Sequence, residues 1–266
     1  MNLLRVGRIC ALNMYPLFHG LERAADPRLV FTDGLPTTLN RMVLADQLDV
    51  SAMSSIAYAR HADRLRLLPV ASVTAAGAVD SIQLFSRVPF ERVRTVAVTP
   101  HSATSVALLR VLLGERAAPF TILAGDPAAA LDAHDGVLLI ADEALAALRN
   151  PFAPHHTDLA EEWHRRSGLP MVFAVWAARA DTAAARPAAL EALERDLVQA
   201  RESFRADPQA VIAAAAERFP FPADFIAPYL GRLRYEFGPP ERAGLAAFLD
   251  AAVAAGELSA SPLAAA

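Results

Sequence analysis

Cysteine is almost absent from this chain of 266 residues, which carries one thiol, Cys10. An internal disulfide framework is therefore excluded, and a cysteine-based metal site finds no ligands. Read locally, Cys10 lies in an apolar opening segment and behaves as a small buried hydrophobe. No run of eighteen apolar residues occurs, so no membrane span is expected. The opening MNLLRVGRICALNMYPLF is apolar, but Arg5, Arg8 and Asn13 interrupt it and no small-residue cleavage site follows. It is not read as a signal peptide, and the cytoplasm is the expected compartment. The formal net charge is −4, with no basic run or tail, which argues against nucleic acid as the main partner. HExxH, GxGxxG and GxSxG are missing, so zincin, dinucleotide-binding and α/β-hydrolase readings have little support. His155 and His156 adjoin in a proline-rich stretch read as a loop, with no carboxylate at ligand spacing, so no metal site is expected.

What is present is a large apolar share, 54%, much of it alanine. A sizeable core follows, and the length fits one large domain or two modest lobes. Residues 3–10, 28–33 and 48–53 read as strands. A short helix opened by Pro16, a helix from Pro36 to about residue 46, and the stretch after Ser54 and Ser55 alternate with them. This β-α-β-α-β-α rhythm predicts a mostly parallel sheet. Residues 66–75 and 78–86 are consecutive strand-like runs with no crossover helix, as at a sheet rim or where strands leave one lobe. An α/β pattern restarts at 93–98, continues through a helix at 102–113 and strands at 120–123 and 136–141, and reaches a helix at 157–167 and a strand from Pro170. The last third is helical, over 186–204, 207–218 and 241–255, and the tail from residue 259 is expected to fray. Breaks near 87–92 and 174–182 predict two lobes: 1–87 with 178–266, the C-terminal helices packing on this first lobe, and 88–177. In such an α/β fold, small ligands bind where strand ends meet helix starts, in a cleft between the lobes.

Polar residues interrupt the apolar pattern at those junctions. Asn13 follows the first strand, and its amide either shapes the turn or reaches a substrate hydroxyl or carboxylate. Ser54 and Ser55 lie at the next strand-to-helix junction, where capping and anion binding are compatible. Thr99-Pro100-His101-Ser102-Ala103-Thr104-Ser105 surrounds a helix start with hydroxyls. That chemistry suits a carboxylate or phosphate, and it also caps a helix. Ser81, Gln83 and Phe85 share one strand face. Asp142 either faces a ligand or caps the next helix. Trp163 and Trp176 read as core or lobe-interface aromatics.

These same blocks resemble the chorismate dehydratases of the futalosine route to menaquinone. VGRICALNMYPLFHGL is similar to that family's first-strand block, with Asn13 in its Asn position. GLPTTLNRMVLADQLDVSAMSSIAYA carries Leu39-Asn40 and the Asp49…Ser54-Ser55 pattern. GAVDSIQLFSRVP holds the serine, here Ser81. TPHSATSVALL resembles the Thr-x-x-Ser-x-Thr-Ser helix start, LLIADEAL the strand followed by an acid, and DLAEEWHRRSGLPMVFAVWAAR the later Asp-Leu…Trp block. The blocks span roughly residues 5–178. Two departures are Ala141, where the pattern has Gly, and the Cys10-Ala11 pair.

The resemblance implies a type 2 periplasmic-binding-protein-like α/β fold working as an enzyme without metal or redox cofactor. The implied reaction takes chorismate to 3-[(1-carboxyvinyl)oxy]benzoate and water. Asn13 and Ser81 are then the expected catalytic groups, orienting the ring hydroxyl or the proton removed, with Ser54 and Ser55 at one substrate carboxylate, Ser102, Thr104 and Ser105 at the other, and Asp142 also in the substrate-binding set. None of the first seven is a strong base, which points to the enolpyruvyl carboxylate as an internal one. The alternatives are the naphthoate-forming enzyme of the same pathway and a non-catalytic binder of a carboxylated metabolite.

Overall fold

The computed structural model describes residues 3–116 and 118–263. Short apolar runs become strands, and the prolines that follow them start helices. Strand β1 (Leu4–Ile9) leads to α1 (Tyr15–Ala24), then β2 (Leu29–Gly34), α2 (Pro36–Leu44), β3 (Val50–Ser54), α3 (Ser55–Arg60) and the long β4 (Leu65–Ala75). Next come β5 (Ile82–Ser86), β6 (Val96–Val98), α4 (Ala103–Leu113), β7 (Thr121–Ile122), α5 (Pro127–Ala130), β8 (Gly136–Ile140), α6 (Ala141–Arg149), β9 (His155–Asp158) and α7 (Leu159–Ser167). The chain closes with β10 (Met171–Arg179), α8 (Ala180–Ala185), α9 (Pro187–Ala206), α10 (Pro208–Arg218), α11 (Ala223–Arg232), β11 (Leu233–Arg234) and α12 (Pro239–Ala254). Helices α1, α2, α5, α9 and α10 all carry proline in their first two positions, where its missing N–H costs no helical hydrogen bond.

The chain forms two units, Met1–Thr74 with Val172–Arg242 and Ala75–Met171 with Ala243–Ala266. The first holds a six-stranded sheet in the order β11-β4-β10-β3-β1-β2. β1 runs parallel to β2 and β3, as the β-α-β rhythm predicts. β10 departs from the expected parallel sheet by pairing antiparallel with β3. It enters this unit from α7 of the other one, so no local βαβ crossover dictates its direction. The second unit holds a five-stranded sheet, β7-β6-β8-β5-β9, with β6 parallel to β7 and β8, and β5 antiparallel to β8 and β9.

These divisions differ from the expected boundaries at 87/88 and 177/178. Residues 82–86 belong to the second unit because β5 gives its hydrogen bonds to β8 and β9. Ala174–Ala178 of β10 belong to the first because they pair with β3. The C-terminal residues from 243 onward go with the second unit, not the first: Phe248 packs edge-on against Trp163 at 5.9 Å, and Glu257 pairs with Arg110 at 3.7 Å. Both tryptophans are core residues, Trp176 lying against Phe18 at 5.6 Å between centroids. Cys10 is exposed, against expectation, because β1 ends at Ile9 and the thiol emerges at the strand's end. His155 and His156 lie in β9 and not in a loop, paired with Ser86 and Phe85. Of the tail, residues 264–266 lie outside the described residues, and Leu258 just before it is buried. No helix among the described residues is long and apolar enough to cross a membrane.

Two contacts organise the first unit. Helices α1 and α9 approach so closely at Gly20 that a Cβ there would lie 2.3 Å from the Ala200 Cβ. Asp49, fully buried ahead of β3, accepts from the Arg5 backbone N–H at 2.8 Å, Arg5 Nη2 at 2.8 Å and Arg186 Nη2 at 2.7 Å. Its own N–H donates to Arg5 O and its carbonyl accepts from the Arg179 N–H. One residue, through its carboxylate and its backbone, thus ties β1, β10 and the start of α9 to the head of β3. Burial would raise this carboxyl, but the Arg5 and Arg186 donors outweigh it and hold the pKa at about 2.

Two outcomes follow. Gly20→Val should destabilise the protein by about 1–3 kcal/mol in urea unfolding through overpacking, and Ala200→Gly should recover part of that loss. For Asp49 the folded pKa lies below the unfolded one. Its stabilisation is complete above about pH 4 and disappears as pH falls through about 2, a loss of about 2 kcal/mol that Asp49→Asn removes from the acid-unfolding curve.

Candidate active site

In the first unit, β1, β2 and β3 are parallel, so their C-terminal ends share one sheet edge. Asn13 sits there in a single 3₁₀ turn, Leu12–Met14, linking β1 to α1. It caps neither element: Ala11 and Met14 occupy the N-cap positions without side-chain bonds. Its backbone carbonyl accepts from the Tyr235 hydroxyl at 2.8 Å, which anchors the turn. Tyr235 is buried, and that burial pushes its phenol well above the usual value. The Asn13 Oδ1 is buried with no hydrogen-bond partner among the described residues. A buried amide oxygen without a donor is costly, and a ligand hydroxyl would satisfy it.

Ser54 and Ser55 end β3 on the same edge. Ser54 is the N-cap of α3, its Oγ accepting from the Ala57 N–H at 3.4 Å, which leaves its own proton to donate. Ser55 is fully buried and gives its proton to Val172 O at 2.6 Å, so this hydroxyl holds β10 in place. Helix α3 has only six residues, and its dipole is correspondingly slight. Of the pair, Ser54 is the group with donor capacity left for a ligand.

In the second unit, β6 and β8 end on one sheet edge, and β5, antiparallel to β8, begins there. The end of β6 feeds α4 through Thr99–Ser102. Ser102 caps this eleven-residue helix, accepting from the Ser105 N–H at 3.1 Å while its proton goes to Ser105 Oγ at 2.8 Å. Thr99 Oγ1 accepts from the His101 N–H at 3.2 Å. Thr104 and Ser105 are both buried in the first turn. This Ser102–Ser105 pair lies beside a helix N-terminus that favours negative charge. Capping here does not exclude anion binding at the same junction.

Ala141 and Asp142 follow β8. The N-cap of α6 is Ile140, so Asp142 lies inside the first turn and does not cap. Ala141 has φ 49°, a left-handed conformation in which glycine is unstrained and alanine is not. Its N–H donates to Ser81 O at 2.7 Å. Ser81 is almost fully buried, at the start of β5 on this same edge. Ser81, Thr99, Ser102, Thr104, Ser105 and Asp142 thus gather along one end of one sheet, and Asn13 and Ser54 along one end of the other.

Asp158 is not among the expected site residues; the sequence places it inside the helix read over 157–167 and in the Asp-Leu…Trp block, whereas it ends β9, opposite Gln83, and α7 starts at Leu159. One oxygen caps α7, accepting from Ala160 N–H at 2.9 Å and Glu161 N–H at 3.1 Å. The other accepts from Val79 N–H at 2.8 Å, Asp80 N–H at 2.7 Å and Gln83 Nε2 at 2.8 Å. No cation pairs with it in these bonds. Burial pushes the carboxyl up to about 6, with the Glu161 charge adding to the rise, against the N–H groups that favour the ionised form. No cluster of His, Cys, Asp or Glu among the described residues could hold a metal ion.

The Asp158 carboxyl should titrate near pH 6 by carbon-13 NMR. Because its folded pKa lies above the unfolded one, stability is favoured below about pH 4 and falls as pH rises through about 6, by up to about 3 kcal/mol. A midpoint below about 4 would mean that the N–H donors outweigh burial.

Comparison with known proteins bears on what these edges do. A model of the menaquinone biosynthesis family matches residues 4–254. A chorismate dehydratase of Thermus thermophilus is 36% identical over 255 residues, covering 90% of this chain and 91% of the relative. Among solved structures, a protein of Archaeoglobus fulgidus aligns with a TM-score of 0.78 at 17% identity, over 97% of this chain and 99% of that one. The periplasmic aliphatic sulphonate binding protein SsuA of Escherichia coli aligns with a TM-score of 0.67 at 18% identity, over 98% and 94%. At such identities the structures establish the fold alone, a two-lobed α/β fold like that of the type 2 periplasmic binding proteins. The chain belongs to the menaquinone biosynthesis family, the family of its chorismate dehydratase relatives.

Proposed function

We propose that this protein is a cytoplasmic chorismate dehydratase, converting chorismate to 3-[(1-carboxyvinyl)oxy]benzoate and water. The observation that carries the reading is the 36% identity to a chorismate dehydratase across nine-tenths of the chain. The candidate residues supply fitting chemistry: neutral donors and an idle amide oxygen.

The α4 start, with Ser102, Thr104 and Ser105, takes one substrate carboxylate, and the Ser54 hydroxyl serves the other. Asn13 Oδ1 accepts from the ring hydroxyl, and Ser81 orients the departing group. In the reaction the ring C–O bond breaks, the electrons of a ring C–H bond form the new double bond, and proton and hydroxide leave as water. Aromatisation drives the step, so the protein needs to hold the reacting conformer and stabilise developing charge. A base is still required. The chain contains no lysine, its 25 basic residues all being arginine, which does not act as a base at neutral pH. Neutral Asn and Ser side chains do not take the proton either. The enolpyruvyl carboxylate of the substrate itself is the proposed base, and Asp142 is the alternative within the chain.

Purified protein with chorismate alone should yield an aromatic product lighter by one water by mass spectrometry, absent without protein. Asn13→Ala and Ser81→Ala should each lower kcat about 100-fold, the cost of removing one oriented hydrogen-bonding group. An Asn13→Ala/Ser81→Ala double variant with unchanged turnover would exclude this assignment. Tight binding of unchanged chorismate would point to a binding protein, and absence of binding to the later, naphthoate-forming reaction.

A further inference from the structure

We infer that Asp158 is a positioning residue for Ser81, holding the 79–83 segment in the geometry that presents the serine. This rests on the dehydratase reading only for the reaction by which it is measured.

The backbone before Ser81 is distorted. Asp80 has φ 62°, a region that non-glycine residues rarely enter. The Ser81 N–H turns back to Val79 O at 2.7 Å, closing a three-residue turn with Asp80 at its apex. Turns of this hand are uncommon and strained, and persist where surrounding bonds impose them. Here the imposing group is identifiable. Asp158 Oδ2 accepts from the N–H groups of both Val79 and Asp80 and from Gln83 Nε2, so it grips Ser81 from both sides along the chain. The Ser81 carbonyl is fixed separately by the Ala141 N–H at 2.7 Å. Ala141 is itself left-handed, so two adjoining backbone distortions meet at Ser81.

Capping α7 does not account for this arrangement. Capping uses Oδ1 alone, on Ala160 and Glu161. A serine would serve that purpose as well as an aspartate. The second oxygen is committed entirely to the Ser81 segment. Gln83 adds a further sign of specialisation. It is 2% exposed, its Nε2 is held by Asp158, and its Oε1 has no hydrogen-bond partner among the described residues. The carboxamide is thus oriented by the aspartate and not by its own acceptor.

The test is a double-variant cycle with Asp158→Ser, which keeps a capping oxygen for α7 and withdraws the one on Val79, Asp80 and Gln83. After wild-type turnover of chorismate is established, D158S should lower kcat/KM about 10- to 100-fold, the range for a displaced catalytic group. In a Ser81→Ala background the same change should cost less than about threefold, because the group being positioned is gone. Where S81A turnover falls below detection, the cycle is read from the chorismate Kd. Equal fold losses in both backgrounds would overturn the inference. If D158S does not fold, Gln83→Leu, which withdraws one donor from the same oxygen, takes its place in the cycle. If the wild-type protein fails to turn over chorismate, the dehydratase reading falls. Positioning is then read from amide NMR: displaced Ser81 and Ala141 resonances in D158S support it, and unshifted ones overturn it.

Discussion

A carboxylate removed from water must find donors, and this protein spends that requirement on structure in both of its units. Asp49 and Asp158 are the clearest cases. Asp49 collects two arginines and a backbone N–H, so its charge is neutralised and its pKa drops to about 2. Asp158 collects only N–H groups, and its pKa rises to about 6. The difference follows from what each holds. Asp49 adds ionic bonds from Arg5 and Arg186 to strands already joined by their backbone ladders, and so binds the start of α9 to them. Asp158 fastens a distorted turn, and a dipolar cage of amides is suited to fixing backbone.

The polar residues at the sheet edges depend on these anchors. β1 and β3 bring Asn13 and Ser54 to one edge, and Asp49, the residue directly before β3, bonds to β1 and to the end of β10. β5, β6 and β8 bring Ser81, the α4 start and Asp142 to one edge, and Asp158 bonds to the segment that opens β5. Asp142 apart, the resulting chemistry is neutral: hydroxyls, an amide and helix N–H groups. Such groups are able to bind an anion and hold its conformer without supplying a strong base. That chemistry would suit the proposed elimination, where orientation and charge stabilisation matter most.

Much of this was legible in sequence where a local rule applied. The parallel core of the first sheet followed from the β-α-β rhythm. Ser54 and Ser102 occupy the capping positions that their junctions imply. The Ala-for-Gly departure at position 141 proved to lie at a left-handed residue. Other features escaped because their partners are remote in sequence. Ser55 looked like a ligand donor, but its hydroxyl is taken by Val172, 117 positions away. Cys10 looked like core, but the strand ends one residue before it.

The sequence by itself determined the family, the alternation of elements, and the residue types available at strand ends. Periodicity and capping act within a few residues, and the ordered motifs are read along the chain without its fold. Tertiary structure alone decided that β10 runs antiparallel beside β3, that β5 leaves the sheet of β4, and that the last helix ends on the second unit. It alone decided that Asp158 serves Val79, Asp80 and Gln83, nearly eighty positions upstream. The reason is that strand pairing and buried-charge satisfaction are settled by which donors and edges remain after the chain has folded back on itself.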